Sequence, residues 1–324
     1  MGMETFVDTS LRRSLRAQAD LRQSGVAVAL GGGGARGLAH LGVMRAITST
    51  GIRVERIVGV SIGSLMGSLC ALDTNISRVE SKVVGLLQSP TFSGRCETLA
   101  RLAERLGKRG KDHEDTAGPL NWFASWYRRL ERMMGNGRRF SRIVTGPNLL
   151  SNVLLLDAIE QLIPDIDVNE TEVPLGIVAA DLVSGQRVVI ENGPLRKAIL
   201  ASMSIPGFFP PVEWDDMLLT DIGVLDSLPI QMAKSYGCHS TIAVDVSSYL
   251  RKEATYRTAV DVMLRMEELG ELICRRHALT MADLIIRPSV GEYPWYDFTR
   301  PERLIELGFA AGKQTLAESL AKVK

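Results

Sequence analysis

Cysteine is sparse, charge of either sign is not in surplus, and no long apolar run occurs. The four cysteines, Cys70, Cys96, Cys238 and Cys274, stand far apart and form no C-x-x-C pair. That spacing argues against a disulfide framework and against a zinc site, and it predicts isolated thiols in a reducing cytoplasm. Lys and Arg number 38 against 37 Asp and Glu, a formal net charge of +1. A globally basic nucleic-acid binder is thereby excluded, because too little positive charge is left over to neutralise phosphates. The longest uncharged apolar stretch, Ile57 to Leu72, is 16 residues long and holds three serines and three glycines. A bilayer span takes about 20 mostly apolar residues, so no transmembrane helix is expected. Residues 1–25 lack the apolar core of a signal peptide, and Phe6 stands where the myristoylation pattern wants Ser or Thr. Neither export nor lipidation of Gly2 is expected.

What is present suits a globular chain. The 324 residues fit two ordinary domains or one large one, with 45% hydrophobic and 23% charged residues. Residues 1–25 read as a polar helical arm carrying Leu11, Leu15 and Ala19 on one face. Short apolar runs come next at Val26–Leu30, Ile57–Val60, Leu175–Ala180, Val188–Ile190, Met217–Leu219, Thr241–Val246 and Leu284–Ile286, and read as strands. Helical patterns cover 38–47 and 62–72, each directly after one of these strands. Such alternation predicts an α/β fold with a mainly parallel sheet covered on both faces. Residues 26–250 form this domain, and 251–324 a mostly helical extension of it. An insertion at about 89–145 differs in kind: residues 89–142 hold 12 Lys and Arg against 6 Asp and Glu. Within it Trp122, Phe123, Trp126, Tyr127 and Leu130 fall at helical spacing, with Arg128, Arg129 and Arg132 on the other side. This is either a surface helix packed by its aromatic stripe, or a mobile flap or membrane-surface contact that sits at an anionic lipid interface.

Two motifs carry chemistry. Gly31-Gly32-Gly33-Gly34-Ala35-Arg36-Gly37 joins the first strand to a helix, and its glycines can turn backbone N–H groups toward a negative charge. It formally matches a dinucleotide fingerprint, but that site also needs an acid at the C-terminal end of the next strand. Glu55 precedes that strand, and the residue directly after it is Ser61. Gly59-Val60-Ser61-Ile62-Gly63 in a strand–turn–helix context is a nucleophile elbow, in which Gly59 and Gly63 make room for a tight turn. Adjacent parallel strands would bring the glycine loop and Ser61 together, so that loop amides face an oxyanion formed at the serine. A base must take the serine proton. His40 reads as structural and His113 as solvated, while His239 and His277 fit only by chain order. Asp221, at the end of an apolar run and the start of a turn, is the better candidate. Its carboxylate should emerge at the same sheet edge, and partial burial would lift its pKa toward useful base strength.

Taken together, the blocks Gly31–Gly37, Gly59–Gly63, Ala201–Pro211 and Asp221–Gly223 resemble the patatin-like phospholipase family over roughly residues 26–246. The resemblance implies a three-layer α/β/α sandwich with a Ser–Asp dyad and no metal or cofactor. It implies Ser61 as nucleophile and Asp221 as general base. The amides of Gly32, Gly33 and Gly34 form the oxyanion hole, Arg36 orders that loop, and Gly223 completes the acid turn. The implied activity is hydrolysis of lipid acyl esters, of phospholipase A or lysophospholipase type, which the isolated thiols place in the cytoplasm. Peripheral contact with anionic membrane would run through 89–145. Met203, Ile205, Phe208 and Phe209 line an acyl groove or form an ordinary hydrophobic turn. One departure stands out: the family has Gly after the acid, and this chain has Ile222. If that position needs a positive φ, the turn must shift and slow catalysis, leaving a lipid-sensing protein on the same scaffold.

Overall fold

A computed structural model of the chain describes residues 25–90, 92, 94, 153–206, 208–223, 225–249 and 259–321. The N-terminal arm and nearly all of the basic insertion, with its aromatic stripe and His113, lie outside the described residues.

The strands in chain order are β1 (Val26–Leu30), β2 (Val54–Val60), β3 (Leu175–Asp181), β4 (Arg187–Ile190), β5 (Val212–Trp214), β6 (Met217–Thr220), β7 (Ser240–Val244) and β8 (Leu284–Ile286). The α-helices are α1 (Ala39–Ser49), α2 (Ile62–Leu72), α3 (Ile76–Gln88), α4 (Val153–Leu162), α5 (Leu195–Met203), α6 (Ile230–Ser235), α7 (Ala259–Leu279) and α8 (Pro301–Ala321). All eight strands join one sheet. β1, β2, β3, β7 and β8 run parallel, β4 and β6 run antiparallel to β3, and β5 runs antiparallel to β6. The parallel part is as expected, and the outer part is mixed.

Alternation along the central strands makes three layers. In β1, Val26, Val28 and Leu30 face one side and Ala27 and Ala29 the other, all fully buried. The larger side chains meet α1, α2, α3, α4, α5 and α8 through residues such as Leu41, Leu69, Val83, Ile159, Ile199 and Leu304. The alanines meet a thinner layer that includes Ile222, Leu228, Ile230 of α6 and Ala278 of α7. Burial on both faces explains why these strands read as near-continuous apolar runs. The result is an α/β/α sandwich.

The C-terminal part is built into this unit. β8 pairs with β7 from Ile242 to Val244, extending the sheet. α8 lies against α1 so closely that a Cβ on Gly42 would stand 1.8 Å from the Ile305 carbonyl oxygen. One on Gly308 would stand 2.0 Å from that of Ala39.

Candidate active site

The sheet register brings the elbow and the acid together. On β3, Val178 pairs with Val60 of β2 and with Val189 of β4. Two residues on, Ala180 pairs with Arg187 of β4 and with Thr220 of β6. A strand residue has one partner on each edge, so β4 occupies one edge and β2 and β6 share the other. β2 runs up that edge and stops at Val60; β6 runs down it and stops at Thr220. Ser61 and Asp221 are the next residues of each, and both fall level with Ala179. The acid therefore reaches the serine from the direction opposite to that of β2. It arrives on an antiparallel strand that meets β2 tip to tip.

Ser61 is the N-cap of α2 with φ 54° and ψ −127°, a left-handed conformation that a side chain seldom takes. The neighbouring glycines permit it. A Cβ on Gly63 would stand 2.3 Å from the Leu30 carbonyl oxygen, and one on Gly59 would stand 2.4 Å from that of Gly63. The backbone around Ser61 is fully engaged. Its N–H donates to Ser202 Oγ at 2.9 Å, and its carbonyl accepts from Ser64 N–H at 2.9 Å and Ser64 Oγ at 2.6 Å.

Asp221 is 4% exposed. Gly223 N–H donates to its carboxylate at 2.7 Å, and the nearby Ser61 hydroxyl favours its charged form. Burial lifts its pKa from the ordinary carboxylate value to about 6, against the opposing pull of those two donors. Ile222 has no positive φ, and its buried side chain packs into the thin layer with Leu228 and Ile230. The turn therefore accepts isoleucine without a left-handed backbone.

The glycine loop sits over the other side of the serine. A Cβ on Gly32 would stand 3.4 Å from Ser61 Cβ. Gly32 N–H donates to the Ser227 carbonyl at 2.9 Å. The amides of Gly33 and Gly34 have no acceptor among the described residues. Gly34 takes φ +59°, and a Cβ there would stand 2.3 Å from the Trp295 carbonyl oxygen, which accepts Ala35 N–H at 2.6 Å. Arg36 is 1% exposed and points away from the serine. Its Nε donates to the Val246 carbonyl at 3.0 Å and Nη1 to that of Tyr293 at 3.3 Å. Burial lowers its pKa to about 10, with nearby Arg275 adding to the effect. The side chain ties the loop to the exit of β7 and to the 293–297 turn.

The histidines stand apart from the pair. His40 is fully buried in α1, its Nε2 hydrogen-bonded to the Gly31 carbonyl at 2.8 Å, and burial holds its pKa down to about 4. His239 is exposed just before β7, at the edge of the sheet opposite to Ser61. His277 is exposed in the last turn of α7, which leads toward the start of β8 at that same far edge. No observation favours a histidine base.

Phe208 and Phe209 are buried and pack with Leu155, Ile205, Trp295 and Tyr296 in a cluster apart from the two main cores. Met203 is half-buried against the larger core. Sequence pattern alone did not point to Ser202 or Ser204. Ser202 Oγ donates to the Val178 carbonyl at 2.7 Å, and the Ser204 carbonyl accepts Asp221 N–H at 2.9 Å and Thr220 Oγ1 at 2.6 Å. Their only local signal was two small polar residues inside an apolar segment. Among the described residues no cluster of three or more His, Cys, Asp or Glu is placed to hold a metal ion. None of the described helices is long and apolar enough to cross a membrane.

Residues 28–234 match the family described as patatin-like phospholipase. An uncharacterized NTE family protein of Mycobacterium bovis is 30% identical over 226 residues, covering 68% of this chain and 49% of the relative. A protein named lysophospholipase NTE1 from Eremothecium gossypii is 25% identical over 329 residues, covering 94% of this chain and 19% of its own length. The chain thus spans about half the length of the mycobacterial relative and about a fifth of the fungal one. Among solved structures, VipD from Legionella pneumophila is similar with TM-score 0.45 and 14% identity. That match covers 91% of this chain and 67% of VipD.

Proposed function

The chain belongs to the patatin-like phospholipase family, and from that premise we propose that it hydrolyses lipid acyl esters through a Ser61–Asp221 dyad. The observation that carries the reading is the meeting of Ser61 and Asp221 level with Ala179, where burial lifts the carboxylate to about 6. A carboxylate with that value is mostly ionised at neutral pH and a stronger base than a solvated one.

Ser61 Oγ attacks the ester carbonyl carbon while its proton passes to Asp221. The carbonyl oxygen becomes an oxyanion, and the amides of Gly33 and Gly34 are the groups left to stabilise it. Their partner Gly32 is already committed to Ser227. Collapse breaks the bond to the alcohol oxygen, which takes the proton back from Asp221 and leaves as a neutral alcohol. Water then attacks the acyl-enzyme, gives its proton to Asp221, and the acid product departs as Ser61 regains its hydrogen. An oxyanion donor of this kind is worth about 3–4 kcal/mol in other hydrolases. The name lysophospholipase borne by the fungal relative favours single-chain phospholipids as substrates.

Turnover of p-nitrophenyl esters and of lysophosphatidylcholine by wild type, Ser61→Ala and Asp221→Asn tests the reading, alongside fluorophosphonate labelling. Wild type should label at Ser61 and turn over, and each variant should lose at least about 10³-fold in kcat while remaining folded. Full activity in Asp221→Asn, or absence of labelling in folded wild type, would overturn it.

A further inference from the structure

The end of α5 touches both members of the dyad. Ser202 Oγ accepts the Ser61 N–H at 2.9 Å and donates to the Val178 carbonyl at 2.7 Å. Two residues later, the Ser204 carbonyl accepts the N–H of Asp221 and the hydroxyl of Thr220. The Ser204 hydroxyl is itself fixed, donating to the Leu200 carbonyl at 2.8 Å. Both serines are fully buried.

Ser61 needs such support. Pairing of β2 with β3 ends at Val60 and Val178, so the next N–H finds no acceptor in the ladder. A positive φ on a non-glycine residue persists only where surrounding contacts over-determine it. A hydroxyl has a single proton, and that of Ser202 goes to Val178. Its lone pairs are thus left to face the elbow amide, which orients the bond. We infer that Ser202 is a positioning residue: it fastens the strained Ser61 backbone to β3, while Ser204 fastens Asp221 to the same helix end. The reach from hydroxyl to carboxylate is then set by one rigid turn of chain rather than by two independent loops. This inference rests on the dyad reading.

Ser202→Ala removes both bonds, while Ser202→Thr keeps a hydroxyl and Ser202→Val has the shape of threonine without one. Ser68→Ala is the control. It deletes another fully buried hydroxyl, bonded to the Ser64 carbonyl at 2.7 Å, without touching the elbow amide. The measurements are kcat and KM on soluble p-nitrophenyl butyrate, the rate of fluorophosphonate labelling, and Tm. Ser202→Ala should lower kcat and labelling about tenfold or more with KM within about twofold, because misplaced reacting atoms lose transition-state stabilisation rather than binding. Threonine should recover most of the loss and valine little, and the control should lower Tm alone. Wild-type kcat and labelling in a folded Ser202→Ala protein would overturn the inference, as would equal activity of the Thr and Val variants. If the extra methyl keeps both of those from folding, the alanine variant against the control decides. Failure of the dyad reading looks different, since wild type would then not label or Ser61→Ala would retain turnover.

Discussion

Lowering the pH from 7 to 5 should slow acylation of Ser61 about tenfold. Asp221 must be ionised to accept the serine proton, and its pKa lies at about 6. The ionised fraction then falls from about 0.9 at pH 7 to about 0.09 at pH 5, whereas a solvated carboxylate near 4 would stay about 0.9 ionised at pH 5. The assay is kcat/KM on a soluble p-nitrophenyl ester from pH 4.5 to 8, paired with fluorophosphonate labelling, which reports acylation alone. Stability moves the other way for this group. Its folded value lies above its unfolded value of 3.8, so the folded state holds the proton more tightly. The stability it contributes is greatest at low pH and declines as pH rises from 3.8 through about 6, by about 3 kcal/mol in all. Lost activity at pH 5 therefore does not come from unfolding driven by Asp221. Asp221→Asn should raise Tm at pH 8 and leave it nearly unchanged at pH 4, while abolishing turnover. A rate that stays flat down to pH 5, or a midpoint near 4, would refute the assignment of Asp221 as a buried base. A midpoint removed by His239→Ala or His277→Ala would transfer the role to histidine.

Other substitutions test the packing. Gly308→Ala should destabilise by about 1–3 kcal/mol in urea denaturation, because the new methyl would meet the Ala39 backbone at 2.0 Å. Gly85→Ala, in α3 with nothing within 4 Å of the added Cβ, should instead stabilise by about 1 kcal/mol; equal effects at the two sites would contradict the close approach of α8 to α1. His40 is held neutral, with a folded value of about 4 against 6.5, so the stability it contributes is complete above 6.5 and is lost as pH falls toward 4. Replacing it with Gln keeps a donor for the Gly31 carbonyl and should flatten the fall of Tm between pH 6.5 and 4; an unchanged acid limb would count against a buried neutral imidazole.

Much of this arrangement was legible from local pattern, since a buried parallel strand leading into a glycine turn and a helix has few other interpretations. Val26–Leu30 matched strand β1 residue for residue, and Ile57–Val60 found the buried half of β2. The half that escaped, residues 54–56, carries charged side chains at the sheet margin, where the apolar run fades. β5 escaped too, because Val212–Trp214 is three residues long with a glutamate in the middle. The direction of β6 was not readable, since a four-residue strand carries no sign of whether its neighbour runs with it or against it. Ser202 was beyond reach for a different reason. Its role depends on a partner 141 residues away, and a single hydroxyl has no periodicity to betray it. Arg36 was visible as a loop residue, but its anchors at Val246 and Tyr293 belong to the tertiary fold.

The clamp that Tyr293 and Trp295 place on the glycine bend bears on how this molecule can be shortened. A fragment cut at residue 234, where the family match ends, would retain Ser61, Asp221 and the whole of Gly31–Gly37. It would forfeit β7, β8 and the three carbonyls, of Trp295, Val246 and Tyr293, that receive Ala35 and Arg36. Silence from such a truncated protein would say nothing against its two reacting side chains. It would report only that the scaffold gripping the glycine bend beside the serine had been thrown away.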